Sequence, residues 1–412
     1  MTARLSRRQL LQALGLTGAG LVLAPSFWSR AWAATPGDAP ARRALITVFL
    51  RGGADGLSLV PPVEDDAYQR ARPTLALKFE GEHAALKLTG PFGLHPSLGA
   101  LMPLWSEGKL AVLPGVGLPV TPRSHFDAQD FMESGTPGRK ATADGWLNRA
   151  LLDAKDDAPL RAVALQPTLP RALYGNAGAL AMGRLEDFRL RTGRQHGDAR
   201  QGFSALYSGA VDQALKGAGA DAFEAMSKLD GARLAKLPVS PGVTYPGTPL
   251  ARRLQDIARL IKGDVGLEVA ATEMGGWDTH VAQGVTQGAF AKRCEELGNA
   301  LAAFAADLGP KLDTVTVLVM TEFGRTVKEN GNQGTDHGVG GVMFALGGGV
   351  KGGVHGRFES LKVDRLQDGR DVPSWTDIRA PLSEALRACR PGVALSRVFP
   401  GYGEDSALGM FS

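Results

Sequence analysis

The stretch Thr314-Val315-Thr316-Val317-Leu318-Val319-Met320, TVTVLVM, decides how the chain folds. Every position is apolar or β-branched and neither face is polar, so it reads as a strand covered on both sides. A parallel sheet between two helical layers provides that cover, whereas a sheet open to water on one face would alternate apolar and polar residues. Working outward, residues 44–50, 110–113, 161–165, 267–271 and 342–346 have the same character and end abruptly in glycine, proline or polar loops. The intervals between them are long enough for helices, the pattern of βα units. Thr248-Pro249 followed by LARRLQDIARLIKG predicts a helix with an N-cap threonine, proline in its first turn and a glycine stop. Residues 288–308 predict another, with Leu297, Leu301 and Phe304 on one face. The expected fold is α/β, a mostly parallel sheet sandwiched between helices. Residues 183–242 carry no strand pattern and are rich in Ala, Arg and Asp, so they are expected to form a helical insertion that could serve as a lid.

The first 33 residues require separate treatment. Arg7 and Arg8 in SRRQLL form a twin-arginine pattern, a glycine-interrupted apolar run follows, and Ala31-Trp32-Ala33 has small residues at cleavage-site spacing. These features predict a signal peptide cleaved after Ala33, export in the folded state by the twin-arginine machinery, and a periplasmic or secreted protein. The apolar run is shorter than the roughly 20 residues of a membrane span. Residues 1–33 hold four arginines and no acid, so of 46 basic and 42 acidic residues in the chain, residues 34–412 retain 42 of each. A mature chain without net charge gives no support to nucleic acid or an anionic membrane as partner. Cys294 and Cys389 fall in helix-like segments and are expected to be buried free thiols. Residues 34–412 are read as one large α/β domain carrying the insertion.

In open α/β sheets, ligands bind beyond the carboxyl ends of the strands. The loops that follow strands here hold Asp55 in RGGADGLS, Arg123 and Ser124 in TPRSHFD, Asp278 and His280 in GGWDTH, Glu322 in TEFGRT, and Asp336 and His337 in GTDHG. An acid and an imidazole at i and i+2 in extended chain point to one side, and such a donor set suits Zn²⁺ or a similar divalent ion. A carboxylate such as Glu322 at the end of a buried strand is costly unless a cation lies near. Ser124 with Asp127 resembles a capping box. Ser124 also stands where a helix N-terminus favours a developing anion, and Arg123 beside it suits a phosphoryl or sulfuryl group. Each feature alone is equally a turn or a cap. His83, His95 and His196 carry less weight, and His355 stands in reserve.

FLRGGADGLSLVPP, RSHFDAQDFMESG, GGWDTH, VMTEFGRT and TDHGVGGVMFALGGGVKGG, in that order, resemble the bacterial domain-of-unknown-function family fifteen-oh-one. That family is similar to the alkaline phosphatase and sulfatase superfamily of metal-dependent hydrolases. The resemblance implies that Asp55 and Glu322 hold one metal, that Asp278, His280 and His337 hold the other, and that Ser124 is the nucleophile. Phe323 stands where the superfamily's paired histidine would be, so a ligand is missing unless Asp336 or His125 replaces it. Neither cysteine lies near Ser124, which argues against a formylglycine sulfatase. Two readings follow. One is an exported hydrolase of phosphate or sulfate esters using one or two divalent ions, with Zn²⁺ expected from the donor chemistry. The other is a degenerate, non-catalytic envelope protein that binds a ligand or another exported protein.

Overall fold

The computed structural model describes residues 43–140, 142–152, 158, 160–187, 234–403 and 407–411. The expected signal peptide, residues 1–33, and most of the expected insertion at 183–242 lie outside the described residues. Among the described residues, eleven strands follow in chain order: β1 (Ala44–Leu50), β2 (Leu86–Lys87), β3 (Gly93–Leu94), β4 (Leu110–Gly117), β5 (Ala162–Leu165), β6 (Leu180–Met182), β7 (Val269–Met274), β8 (Val315–Thr321), β9 (Gly341–Gly347), β10 (Gly353–Val354) and β11 (Thr376–Asp377). β2 and β3 form a small antiparallel ribbon. The other nine make one sheet in the order β10-β4-β9-β8-β1-β7-β5-β6, with β11 also pairing to β4. β9 runs against both of its neighbours, β4 and β8, and every other pairing in this sheet is parallel.

Every residue of β8 is buried. Val315, Val317 and Val319 enter one apolar core with the helices Pro249–Lys262 and Ala289–Leu308. Leu318 and Met320 enter a second core with the helices His125–Ser134 and Arg379–Cys389. Each of these side chains is worth roughly 1.5–3 kcal/mol on burial, which explains why a strand between two helical layers has no polar face. The structure is thus the mostly parallel α/β sheet that TVTVLVM implied. Thr248 caps the Pro249–Lys262 helix through its side chain, accepting from the Ala251 amide. Ser124 is the N-cap of the His125–Ser134 helix but its side chain makes no capping hydrogen bond, so the anticipated capping box is not formed. Cys294 and Cys389 are free and buried. Among the described residues, no helix is long and apolar enough to cross a membrane.

The reversal of β9 matters for the site. Because β9 is reversed, the chain entering it lies at the same sheet edge as the chain leaving β1, β4, β7 and β8. A loop that precedes a strand, Asp336–Gly340 by position, therefore joins loops that follow strands.

Buried His95 anchors the segment that leads into the Ala289–Leu308 helix. Its Nε2 donates to the Val285 carbonyl at 2.8 Å, while Nδ1 accepts from the Ser97 amide at 3.2 Å. The Ser97 bond requires the neutral ring, since Nδ1 must keep its lone pair to accept, and burial lowers the His95 pKa despite the Val285 bond. A histidine whose folded pKa is depressed contributes stability that is complete above its unfolded value of about 6.5 and is lost as pH falls through the folded value. We expect unfolding free energy measured by urea at pH 7 and pH 5 to fall more steeply for the native protein than for His95→Gln. Equal pH slopes would refute the assignment.

Candidate metal centre

Three histidines meet at the carboxyl edge of the sheet, each with one ring nitrogen occupied by an acceptor. His125, first residue of the helix after β4, places Nδ1 2.8 Å from Glu322 Oε1. His280, in the loop after β7, places Nδ1 3.0 Å from Asp336 Oδ1. His337, before β9, places Nδ1 2.9 Å from the Arg123 carbonyl oxygen. Carbonyl and carboxylate oxygens only accept, so these contacts suit the tautomer with the proton on Nδ1, which leaves Nε2 free to bind a cation.

The three Nε2 atoms converge on Asp278. His280 Nε2 lies 3.0 Å and His337 Nε2 3.3 Å from Asp278 Oδ1, and His125 Nε2 lies 3.5 Å from Asp278 Oδ2. His280 Nε2 and His337 Nε2 are 2.9 Å apart. Two ring nitrogens at that distance share a cation between them, either a proton carried by one of them or a metal ion. His125 Nε2 is buried and has no hydrogen-bond partner. One ligand atom each from His125, Asp278 and His337 lies within 4.8 Å of the others, so the group could hold a metal ion. The separations around Asp278 resemble the edge of about 3.3 Å expected of a tetrahedron with Zn–N and Zn–O bonds near 2.0–2.2 Å. Protonated Nδ1 atoms held by a carboxylate or carbonyl are also how metal-binding histidines are oriented. The residues present fit a divalent ion.

The charges agree with this geometry. Burial acts to raise the pKa of Asp278, but the Arg325 guanidinium 2.6 Å away, with His337 and His280, holds it below the ordinary carboxylate value. Burial, Arg325 and His125 lower the His337 pKa, outweighing the Arg123 carbonyl and Asp278. Glu322 is 1 % exposed. Burial would raise its pKa, yet hydrogen bonds led by Gln129, with His125 among them, keep it lowered.

The expected ligands therefore separate. Asp278, His280 and His337 come together, joined by His125, which the sequence offered only as a substitute for the histidine missing at Phe323. Glu322 and Asp336 stand one layer back, as hydrogen-bond partners of His125 and His280 rather than donors at the centre. Asp55 is turned elsewhere: it is fully buried against Arg72, with contacts of 2.5 and 3.0 Å, and accepts from Ser58 at 2.6 Å and Gln283 at 2.8 Å. Burial opposes its charge, and the Arg72 guanidinium leads the contacts that keep its pKa lowered. Arg123 pairs with Asp371 at 2.9 Å, so its guanidinium is already engaged by a carboxylate. Ser124 is exposed at the rim, next to His125. Phe323 packs on His125 and His337, with ring centroids 4.9 and 4.7 Å apart, and forms an apolar wall of the site.

Two glycines allow this crowding. Gly52 and Gly53 have φ of +119° and +63°, and a Cβ would lie 2.6 Å from the Asp278 amide nitrogen at the first and 2.4 Å from the Phe323 ring at the second. A side chain at either position would push a site loop outward, the physical content of the GG in RGGADG.

The motifs that build the centre also decide kinship, since a model of proteins of unknown function, DUF1501, matches residues 83–376, well over half the chain. The chain belongs to the DUF1501 family. The match takes in His125, Asp278, His280, Glu322, Asp336 and His337, and it begins after the RGGADG loop. No curated protein matches the chain. Within this DUF1501 protein, Arg325 was passed over by sequence reasoning although it lies in TEFGRT. It donates from Nε to the Gly53 carbonyl at 2.6 Å, from Nη1 to the Thr335 carbonyl at 2.8 Å, and from Nη2 to the carbonyls of Gly52 and Trp277 and to Asp278. A lysine has three donors on one nitrogen and cannot span these acceptors. Arg325→Lys should leave at least two carbonyls unpaired, at about 1–3 kcal/mol each, and lower the unfolding free energy by about 2–6 kcal/mol in urea titrations. A loss below 1 kcal/mol would contradict this role.

Proposed function

We propose that this DUF1501 protein is a metal-dependent hydrolase of phosphate or sulfate esters. The observation that carries the metal part is the convergence of three histidine Nε2 atoms on the Asp278 carboxylate, with buried His125 Nε2 lacking any hydrogen-bond partner. Nitrogen and carboxylate donors favour Zn²⁺. His125, Asp278 and His337 would hold the ion, with His280 beside them. A divalent ion in such a setting polarises ester oxygens and lowers the pKa of a bound water. The remaining roles belong to the protein. Glu322, Asp336 and the Arg123 carbonyl orient the rings, Phe323 excludes water from one side, and Ser124, exposed next to His125, is the candidate nucleophile. Asp55 and Glu322 are engaged by Arg72 and His125, which favours one ion over two.

A non-catalytic, ligand-binding protein is the second reading, favoured by Phe323, an apolar ring packed against His125 and His337 where another ligand would serve. Elemental analysis of purified protein should give close to one Zn²⁺ per chain. His125→Ala and Asp278→Ala should lose it, while Asp55→Asn, if it folds, should keep it. Undiminished metal in both of the first two variants would end the proposal of a metal centre. Among phosphomonoesters, phosphodiesters and sulfate esters, turnover that falls at least 100-fold in Ser124→Ala supports the hydrolase. Failure of every ester with a metal-loaded protein supports the second reading.

We also infer export by the twin-arginine route, from Arg7, Arg8 and the Ala31-Trp32-Ala33 site. Replacing both arginines by lysine should retain the full-length chain in the cytoplasmic fraction, and unchanged fractionation would refute it.

A further inference from the structure

The orientation of His125 is set from farther away than its own partner. Beyond β1, the Arg51 guanidinium donates from Nε to Glu273 at 2.9 Å, from Nη2 to Glu133, and from Nη1 to Gln129 Oε1 at 3.1 Å. Gln129 Nε2 then donates to Glu322 Oε1 at 2.9 Å, the same oxygen that faces His125 Nδ1 at 2.8 Å. The Gly52 amide reaches that oxygen as well, at 2.9 Å, and the Thr321 hydroxyl donates to the other oxygen at 3.0 Å.

The chemical identities impose one direction on this chain. A guanidinium has only donors, so the Gln129 oxygen must face Arg51 and its NH₂ must face Glu322. An ionised carboxylate has only acceptors, so His125 must present Nδ1–H to Glu322, and Nε2, on the Asp278 side, is then the nitrogen available to a cation. Glu133 and Glu273 fix the other end by holding Arg51 from two sides. His125 and Gln129 are four residues apart on one helix, so they share a face and grip a single carboxylate oxygen. Without Gln129 the amide's share of that oxygen is lost, and without Arg51 the amide is free to turn its oxygen towards Glu322, carbonyl against carboxylate.

We propose that Gln129 and Arg51 are positioning residues of the metal centre, fixing the tautomer and ring angle of His125 through Glu322 although neither touches the ion. The inference rests on the metal centre proposed above. Gln129→Glu keeps the length and still accepts from Arg51, but offers no N–H to Glu322. Gln129→Met removes both bonds at similar volume, and Arg51→Met releases the amide, giving the same readout should a Gln129 variant fail to fold.

The test uses full-length protein stripped with a chelator, titrated with Zn²⁺ against a chromophoric chelator and with Co²⁺ followed by visible absorption. Thermal unfolding of the stripped protein is measured alongside. The expected result is a 10–100-fold loss of Zn²⁺ affinity in each variant, the range typical when outer partners of a ligand are removed, together with a shifted Co²⁺ spectrum. A lower unfolding temperature with unchanged Zn²⁺ affinity and Co²⁺ spectrum would show a merely structural role and overturn the proposal. Native protein that takes up neither ion overturns the metal centre and this inference together. Native protein that binds while all the variants match it overturns the inference alone.

Discussion

One buried guanidinium holds the site loops in register. Arg325 has a side chain with no exposure, and its donors are shared among carbonyls of the loop after β1, the loop after β7 and the chain before β9, with Asp278 as the only carboxylate among them. Removing a charge from water costs several kcal/mol, recovered only when the donors find partners in good geometry. The planar fork of arginine meets acceptors in several directions at once, so satisfying it forces three separate segments to one place. Asp278 is fixed by the same act, and Asp278 is where the three histidine Nε2 atoms point.

A second buried guanidinium explains why one candidate ligand left the site. Asp55 and Asp278 both lie in loops at the carboxyl edge, and both are held ionised by an arginine. Arg72 also donates to the carbonyls of Val327 and Thr326, so it draws Asp55 into a fully buried network with Ser58 and Gln283. Gln283 in turn accepts from Thr279 and Thr335, tying that network to the loops that carry His280 and His337. Asp55 thus braces the centre from behind. Two aspartates at one sheet edge have different fates because Arg72, Ser58 and Gln283 enclose Asp55, whereas Asp278 pairs with Arg325 and faces the three histidines.

The fold was legible because burial leaves a direct trace in residue type. TVTVLVM lacks a polar face since both of its sides are covered, and the Thr248 cap reads through a hydroxyl that accepts an amide three residues on. The centre was legible in part. Asp278, His280 and His337 stood out as acid and imidazole residues in loops at strand ends. His125 was harder to see, because beside a possible nucleophile and a helix start its own role had no local sign. Glu322 and Asp336 were recognised as important carboxylates, but nothing local distinguishes an oxygen that binds a cation from one that orients a histidine. That distinction depends on which ring nitrogen lies 3 Å away, 197 residues distant for Glu322 and 56 for Asp336.

By itself, the sequence determined that strands buried on both faces would stack between helices, and that acids and histidines would collect at the strand ends. Those are consequences of hydrophobic pattern and chain direction, which are local. Tertiary structure alone decided the antiparallel entry of β9, the pairing of Asp55 with Arg72, and the contacts that turn three histidine Nε2 atoms towards Asp278. Hydrogen-bond donors and acceptors choose partners by distance in space, and the partners here come from segments far apart in the chain.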